Sequence, residues 1–207
     1  HYPPSPTKAQ DPPPYGGSRA ACRANRRTKI WRCNMNASSF VISPFKAEHS
    51  DAVRDLFIRV NRLLAPPHMT DAFEHYIIES LEQEIDRIPQ YYAEKEGQFW
   101  VVLSKNHVVG MFGLEPSGPN AMELRRMYVD PDFRRRGIAQ EMMRAAEDYC
   151  RNTGQHRLDL STSEVQSEAL AFYRQAGYEL VREEVADEAS NKTIGGGIRR
   201  YYFKKEL

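Results

Sequence analysis

Residues 123–139 read ELRRMYVDPDFRRRGIA, and the way this stretch divides decides the fold. Its first part alternates: Met122 and Leu124 are apolar with Glu123 between them, then Met127 and Val129 continue one residue out of phase across Arg125 and Arg126. One extra residue in a strand makes a β-bulge, which leaves backbone groups unpaired and splays the neighbouring strand. A polar interruption near a strand end fits the same phase break. The last part sets Arg134, Arg135 and Arg136 before Gly137, and a helical period follows at once in Ile138, Met142, Ala145 and Tyr149. A glycine turn opening a helix presents unpaired N–H groups at the positive end of the helix dipole, an arrangement suited to phosphate. Gly137 permits close backbone approach, Ala139 keeps the next position small, and the arginines add donors.

The flanking sequence supplies the other elements. Upstream, SFVIS (39–43) alternates as a strand, and two helices follow, with Val53, Leu56, Phe57, Val60 and Leu64 on one face and Phe73, Ile77, Leu81 and Ile85 on the other's. QFWVVLS (98–104) and HVVGMFGLE (107–115) flank a two-residue KN connection and read as a hairpin. Downstream come a strand at RLDLS (157–161), a helix carrying Val165, Ala169, Phe172 and Ala176 that stops at Gly177, and two closing strands in YELVRE and RRYYFKKE. The order is β-α-α-β-β-β-α-β-α-β-β.

Composition narrows the function. The chain has 207 residues, 41% of them hydrophobic, enough for one well-packed domain. Residues 1–34 hold seven basic residues against Asp11 alone; that +6, set against +1 for the whole chain, leaves −5 on the remainder. A negative globular part argues against nucleic acid as a partner and mildly favours cationic amines in encounter. No run approaches the ~18 apolar residues of a membrane span. Cys22, Cys33 and Cys150 show no metal or disulfide spacing, so a reducing, cytoplasmic setting is expected. Residues 1–36, rich in proline and arginine, read as a disordered extension, and 37–207 as a single domain.

The stretch 123–139 resembles the acetyl-CoA-binding motif of the GNAT N-acetyltransferase family, whose pattern R/Q-x-x-G-x-G/A falls on Arg134, Gly137 and Ala139. ALAFYRQAGYEL (169–180) is similar to that family's following helix, with Tyr173 four residues before Gly177 and the usual aromatic, here Tyr178, after it. The resemblance covers about 39–206 in element order. It implies an α/β (α+β) fold: a mixed, mostly antiparallel sheet of about 6–7 strands, splayed between its fourth and fifth, with about four flanking helices. One position departs from the pattern: Gln166 stands where many members carry Asn, and it also completes S-x-x-Q from Ser163, a capping box.

The resemblance further implies direct acetyl transfer from acetyl-CoA to a primary amine of a small molecule or peptide, without a covalent enzyme intermediate. Arg134, Arg135, Arg136, Gly137, Ile138 and Ala139 would hold the pyrophosphate, and backbone N–H groups at Met127, Tyr128 and Val129 the pantetheine and the oxyanion. Tyr173 matches the usual general acid, and Glu123 a position used as general base in some members. No metal is implied, and dimers are common in the family. A catalytically idle acetyl-CoA-binding module is the alternative, against which the retained Tyr173 argues. His68 and the glycine-bearing loop 183–198 lie where an acceptor groove is expected.

Overall fold

The computed structural model describes residues 21–25, 28–35 and 38–207. Nine strands join in one sheet: β1 (Ala21–Asn25), β2 (Ile30–Met35), β3 (Ser38–Pro44), β4 (Gln98–Ser104), β5 (His107–Gly118), β6 (Ala121–Val129), β7 (Arg157–Ser163), β8 (Glu179–Ala186) and β9 (Ile198–Glu206). Their spatial order is β1-β2-β3-β4-β5-β6-β7-β9-β8. Every pairing is antiparallel except β6 with β7. Five α-helices flank the sheet: α1 (Ser50–Leu64), α2 (Thr70–Gln83), α3 (Ile88–Glu94), α4 (Ile138–Asn152) and α5 (Ser167–Gln175).

The alternation of the strands explains the two cores. Trp100 and Val102 of β4 point to one face, where they pack with Phe112, Met142, Leu158 and Phe203 under α4 and α5. Phe99 and Val101 point to the other, where they meet Phe57, Phe73, Ile77 and Met111 under α1–α3. The stripes expected for α1 and α2 are those buried, from Val53 through Val60 and from Phe73 through Leu81. The KN connection is a two-residue turn with φ of +48° at Lys105 and +66° at Asn106, the left-handed pair a tight hairpin needs.

Two expectations are corrected. The extension over 1–36 was expected to be disordered, yet β1 and β2 form a hairpin whose second strand pairs with β3. Trp31 of β2 is 7% exposed and meets Trp100 edge-on at a centroid distance of 6.3 Å, while Lys29 Nζ donates to Gln98 Oε1 at 3.2 Å. The arginines that made this segment read as a solvated tail lie around a short alternating stretch whose buried anchor is one aromatic. Residues 1–20 lie outside the described residues. The register also sets Cys22 opposite Cys33 across β1 and β2, a relationship their linear spacing does not suggest. The second correction is α3, which follows a 3-10 turn at Ile85–Arg87 and carries proline at its second position; at seven residues it is too short to show a helical period.

The sheet is splayed at one place. β6 and β7 pair only from Ala121–Arg157 to Leu124–Leu160, and beyond that point β7 continues to Ser163 and β6 to Val129 without pairing to each other. Counting from β3, these are the fourth and fifth strands, as expected. Among the described residues no helix is long and apolar enough to cross a membrane.

Candidate active site

The divergence of β6 from β7 begins where β6 bulges. Against β5, Met111 pairs with Tyr128 and Gly113 with Arg125, so Arg126 and Met127 stand opposite Phe112 alone. Arg126 takes φ of +52°, a left-handed conformation that costs a non-glycine residue roughly 1 kcal/mol or more. The phase break in the sequence is thus a bulge and not a frayed strand end.

Buried charges hold the bulge in place. Arg126 donates from Nε (3.1 Å) and Nη2 (2.8 Å) to Glu84 Oε2, and from Nη1 to the Tyr76 hydroxyl. Arg125 reaches the same Glu84 oxygen through Nη2 and Glu115 Oε1 through Nη1 at 3.1 Å. Tyr92 and Tyr91 donate to the other oxygens of Glu84 and Glu115, each at 2.8 Å. Burial works to raise the Glu84 carboxyl, but Arg126 and Arg125 outweigh it and hold it below the ordinary carboxylate range. Breaking such a buried pair costs far more than its formation contributes, so the network fixes geometry more than it adds stability.

The strand-to-helix junction singled out in the sequence follows the end of β6. Asp130 follows the strand, takes a two-pronged contact from Arg59 Nη1 (3.2 Å) and Nη2 (2.7 Å), and accepts the Asp132 amide at 3.0 Å. The chain then turns through Arg135 (φ +59°) and Gly137 (φ +75°) into α4. The first α4 amide with a carbonyl partner among the described residues is that of Glu141, to Gly137 O at 3.2 Å, as the geometry of a helix start requires. Arg134 and Arg135 are exposed at this turn; Arg136 instead donates to the Asp132 carbonyl at 2.9 Å and lies over the Phe133 ring.

Two cavities open on the splay. One runs along the turn into α4 and is lined by Val129, Arg134, Arg135, Gly137, Ile138 and Ala139. The other lies against the opposite part of β6, with Glu123, Arg126, Ser163, Lys192 and Arg200 in its wall. Met127, Tyr128, Gln166 and Tyr173 line both. Tyr173, 7% exposed, places its hydroxyl 4.0 Å from Met127 Sδ, and burial pushes its phenol up to about 12, so it carries its proton at neutral pH. Of the eleven residues given catalytic or cofactor-binding roles from the sequence, Arg136 alone lines neither cavity.

Glu123 shares the second cavity with Tyr173, but its carboxylate is already engaged: Lys192 Nζ bridges Glu123 Oε2 and Glu115 Oε1, each at 2.7 Å. Lys192 belongs to the segment between β8 and β9, which is tied down over this cavity. The Asn191 carbonyl accepts from Arg126 Nη2 at 2.6 Å, and Gly195, Gly196 and Gly197 all take positive φ. A Cβ on Gly195 would come within 2.6 Å of the Ala189 amide nitrogen, so the turn excludes a side chain. The three consecutive glycines thus allow a tight turn.

The capping box proposed for Gln166 does not form. Gln166 is itself the residue before α5, its Oε1 accepts from Thr162 Oγ1 at 2.9 Å, and Ser163 Oγ is buried with no partner. His68 is exposed in a 3-10 turn at Pro67–Met69 and lines neither cavity. Glu84, Lys192 and Arg200 carry no motif in the sequence, and only the fold brings them to the cavity wall or the bulge.

The arrangement defines the class of protein, and comparison with known proteins agrees. A model of the acetyltransferase (GNAT) family matches residues 58–178, and the chain belongs to that family. It is 34% identical over 98 residues to human N-acetyltransferase 8, covering 45% of this chain and 43% of the relative. It is 30% identical over 124 residues to YjgM, an uncharacterized N-acetyltransferase of Escherichia coli strain K12, covering 58% of this chain and 73% of the relative. Among solved structures it resembles the PaiA N-acetyltransferase of Thermoplasma acidophilum in complex with coenzyme A, with a TM-score of 0.64 at 17% identity over 82% of this chain and 99% of that one. The chain spans about half the length of the mammalian relatives it matches.

Proposed function

We infer that the protein is an acetyl-CoA-dependent N-acetyltransferase that transfers acetyl directly to a primary amine of a small molecule or peptide. The observation that carries this reading is the meeting of two cavities, one at the anion-binding turn and one polar, at a tyrosine that keeps its proton. Acetyl-CoA supplies an activated acetyl thioester and a pyrophosphate. The free amides at the start of α4, with Arg134 and Arg135, suit the pyrophosphate. The part of β6 beyond Leu124, unpaired toward β7, suits an extended amide-bearing arm at Met127, Tyr128 and Val129. Arg136 contributes by fixing the turn on Asp132.

The proton transfers follow from placement. Glu123 takes the proton of the attacking amine, directly or through water, so that the nitrogen lone pair can form the bond to the carbonyl carbon. Backbone donors at the bulge stabilise the oxygen that receives the carbonyl electrons. Tyr173 gives its proton to the sulfur as the carbon–sulfur bond breaks, and recovers one from solvent. Lys192 Nζ, 2.7 Å from Glu123 Oε2, fixes the position of that carboxylate in the cavity wall.

The domain of this proposal covers 37–207, with the β1–β2 hairpin packed on its edge; a cytoplasmic setting and a homodimer belong to the same reading. The test is thiol release from acetyl-CoA over a panel of amines. Amine-dependent release supports the reading. Tight acetyl-CoA binding with no release for any amine would indicate the idle binding module instead.

A further inference from the structure

The acceptor cavity has more cations than carboxylates to pair with them. Around it, Glu84, Glu115 and Glu123 are matched in number by Arg125, Arg126 and Lys192, which form ion pairs with them. Arg200 of β9 is a fourth cation. It donates through Nε (3.1 Å) and Nη2 (2.7 Å) to a neutral group, Ser161 Oγ, and makes no ion pair among the described residues. Its cross-strand neighbour on β8, Glu184, pairs instead with Arg182 at 3.2 Å.

The groups around Arg200 are donors without acceptors. Ser161 Oγ accepts twice from Arg200, so its own proton is free to donate elsewhere. Ser163 lies two residues along β7, opposite Arg200 in register; it is 4% exposed, lines the cavity, and its Oγ has no partner. A buried hydroxyl left unpaired is destabilising, and a ligand accepting its proton removes that cost. A guanidinium with spare N–H groups and two serine hydroxyls on one strand face matches an acceptor-only anion, and a carboxylate fits the planar fork of arginine.

We propose that the acceptor is a small amine that also carries a carboxylate, an amino acid or a close derivative, with its carboxylate held by Arg200, Ser161 and Ser163 and its amine directed to Glu123. This deepens the acetyltransferase reading and rests on it for the role of Glu123. It reverses the preference for cationic amines that net charge suggests, because net charge governs encounter while local pairing governs fit.

The test uses matched amines that differ by the carboxylate: L-alanine with ethylamine, L-leucine with 3-methylbutylamine, L-phenylalanine with 2-phenylethylamine, and L-lysine with cadaverine. Each is titrated by calorimetry into full-length protein saturated with CoA, and each is assayed for thiol release from acetyl-CoA. In at least one pair the carboxylate member should bind about 10- to 100-fold more tightly, the range expected for a charge-assisted bond at a partly buried site. Arg200→Gln should bring that member down to the affinity of its decarboxylated partner, and Arg200→Lys should recover part of the difference. Unchanged melting temperature and acetyl-CoA affinity show that the variants are folded; if Arg200→Gln does not fold, the wild-type pairs decide alone. Equal binding within every pair, tighter binding of the decarboxylated members, or no binding of either overturns the inference. A carboxylate preference in binding without thiol release sustains the inference and sinks the acetyltransferase reading, so the two failures are distinct.

Discussion

Glu84 Oε2, at the end of α2, receives both Nε and Nη2 of Arg126, the residue that carries the left-handed turn of the β6 bulge. The bulge at which β6 leaves β7 is therefore held by a carboxylate 42 residues away. Glu84→Gln should leave the buried Arg126 guanidinium without its anion and Arg125 with Glu115 alone, and lower stability by about 3–5 kcal/mol in denaturant unfolding. The sign with pH is fixed by the depressed Glu84 carboxyl: its contribution is present at neutral pH and lost as pH falls through its folded value. The variant should lack that part of the wild type's acid sensitivity; a variant equal to wild type in stability at neutral pH would contradict the role given to Glu84.

Gly137→Glu places a carboxylate at the anion-binding turn, at a φ of +75° that strains any side chain. Acetyl-CoA affinity measured by calorimetry should fall by roughly 100-fold or more, about 2.7 kcal/mol. Gly137→Ala should carry the backbone strain alone, roughly 1 kcal/mol of stability, with a smaller loss of affinity. Equal affinities for wild type and Gly137→Glu would remove the pyrophosphate from this turn.

Much of this was legible in sequence because it is local. The strand–turn–helix junction at 123–139, the hairpin at Lys105–Asn106 and the stripes of α1 and α2 each depend on neighbours within a few residues. The bulge showed as a phase error. What sequence could not show were contacts across the fold: Glu84 reaching Arg126, Lys192 reaching Glu123, and Trp31 reaching Trp100. In Trp31 the charge of its surroundings masked a single buried ring. In Gln166 the capping pattern lost to another local partner, the Thr162 hydroxyl four residues earlier, which donates to its side chain.

Trp31→Ala should therefore cost stability even though residues 1–36 read as a dispensable extension. Removing a buried indole costs about 3–5 kcal/mol in a full core, and less at a sheet edge. Thermal unfolding should show a drop of several degrees, and deletion of residues 1–35 at least as large a drop. An unchanged melting temperature in the deletion would show that the hairpin contributes nothing to the domain.

Tyr173→Phe removes one oxygen where the two cavities meet. Acetyl-CoA binding should change little while kcat falls by roughly 10² to 10⁴. Burial pushes this phenol up to about 12, so rate loss from its ionisation should appear well above the range of an ordinary tyrosine. Full activity in Tyr173→Phe would refute its assignment as the acid.

Glu123→Gln should lower the rate most near neutral pH, where the acceptor is largely protonated, and less as pH rises and free amine becomes abundant. A defect flat with pH in the kcat/KM profile would assign Glu123 to positioning of the acceptor or of Lys192.

The central claim is direct transfer from acetyl-CoA to an amine, with no acetyl group passing through the protein. A single turnover with isotope-labelled acetyl-CoA, quenched and followed by mass spectrometry of both the amine and the intact protein, tests it most directly. The account predicts label on the acceptor nitrogen and none on the protein at any time. Label appearing first on the protein and then on the amine, or leaving as acetate with no acylated amine, would contradict it.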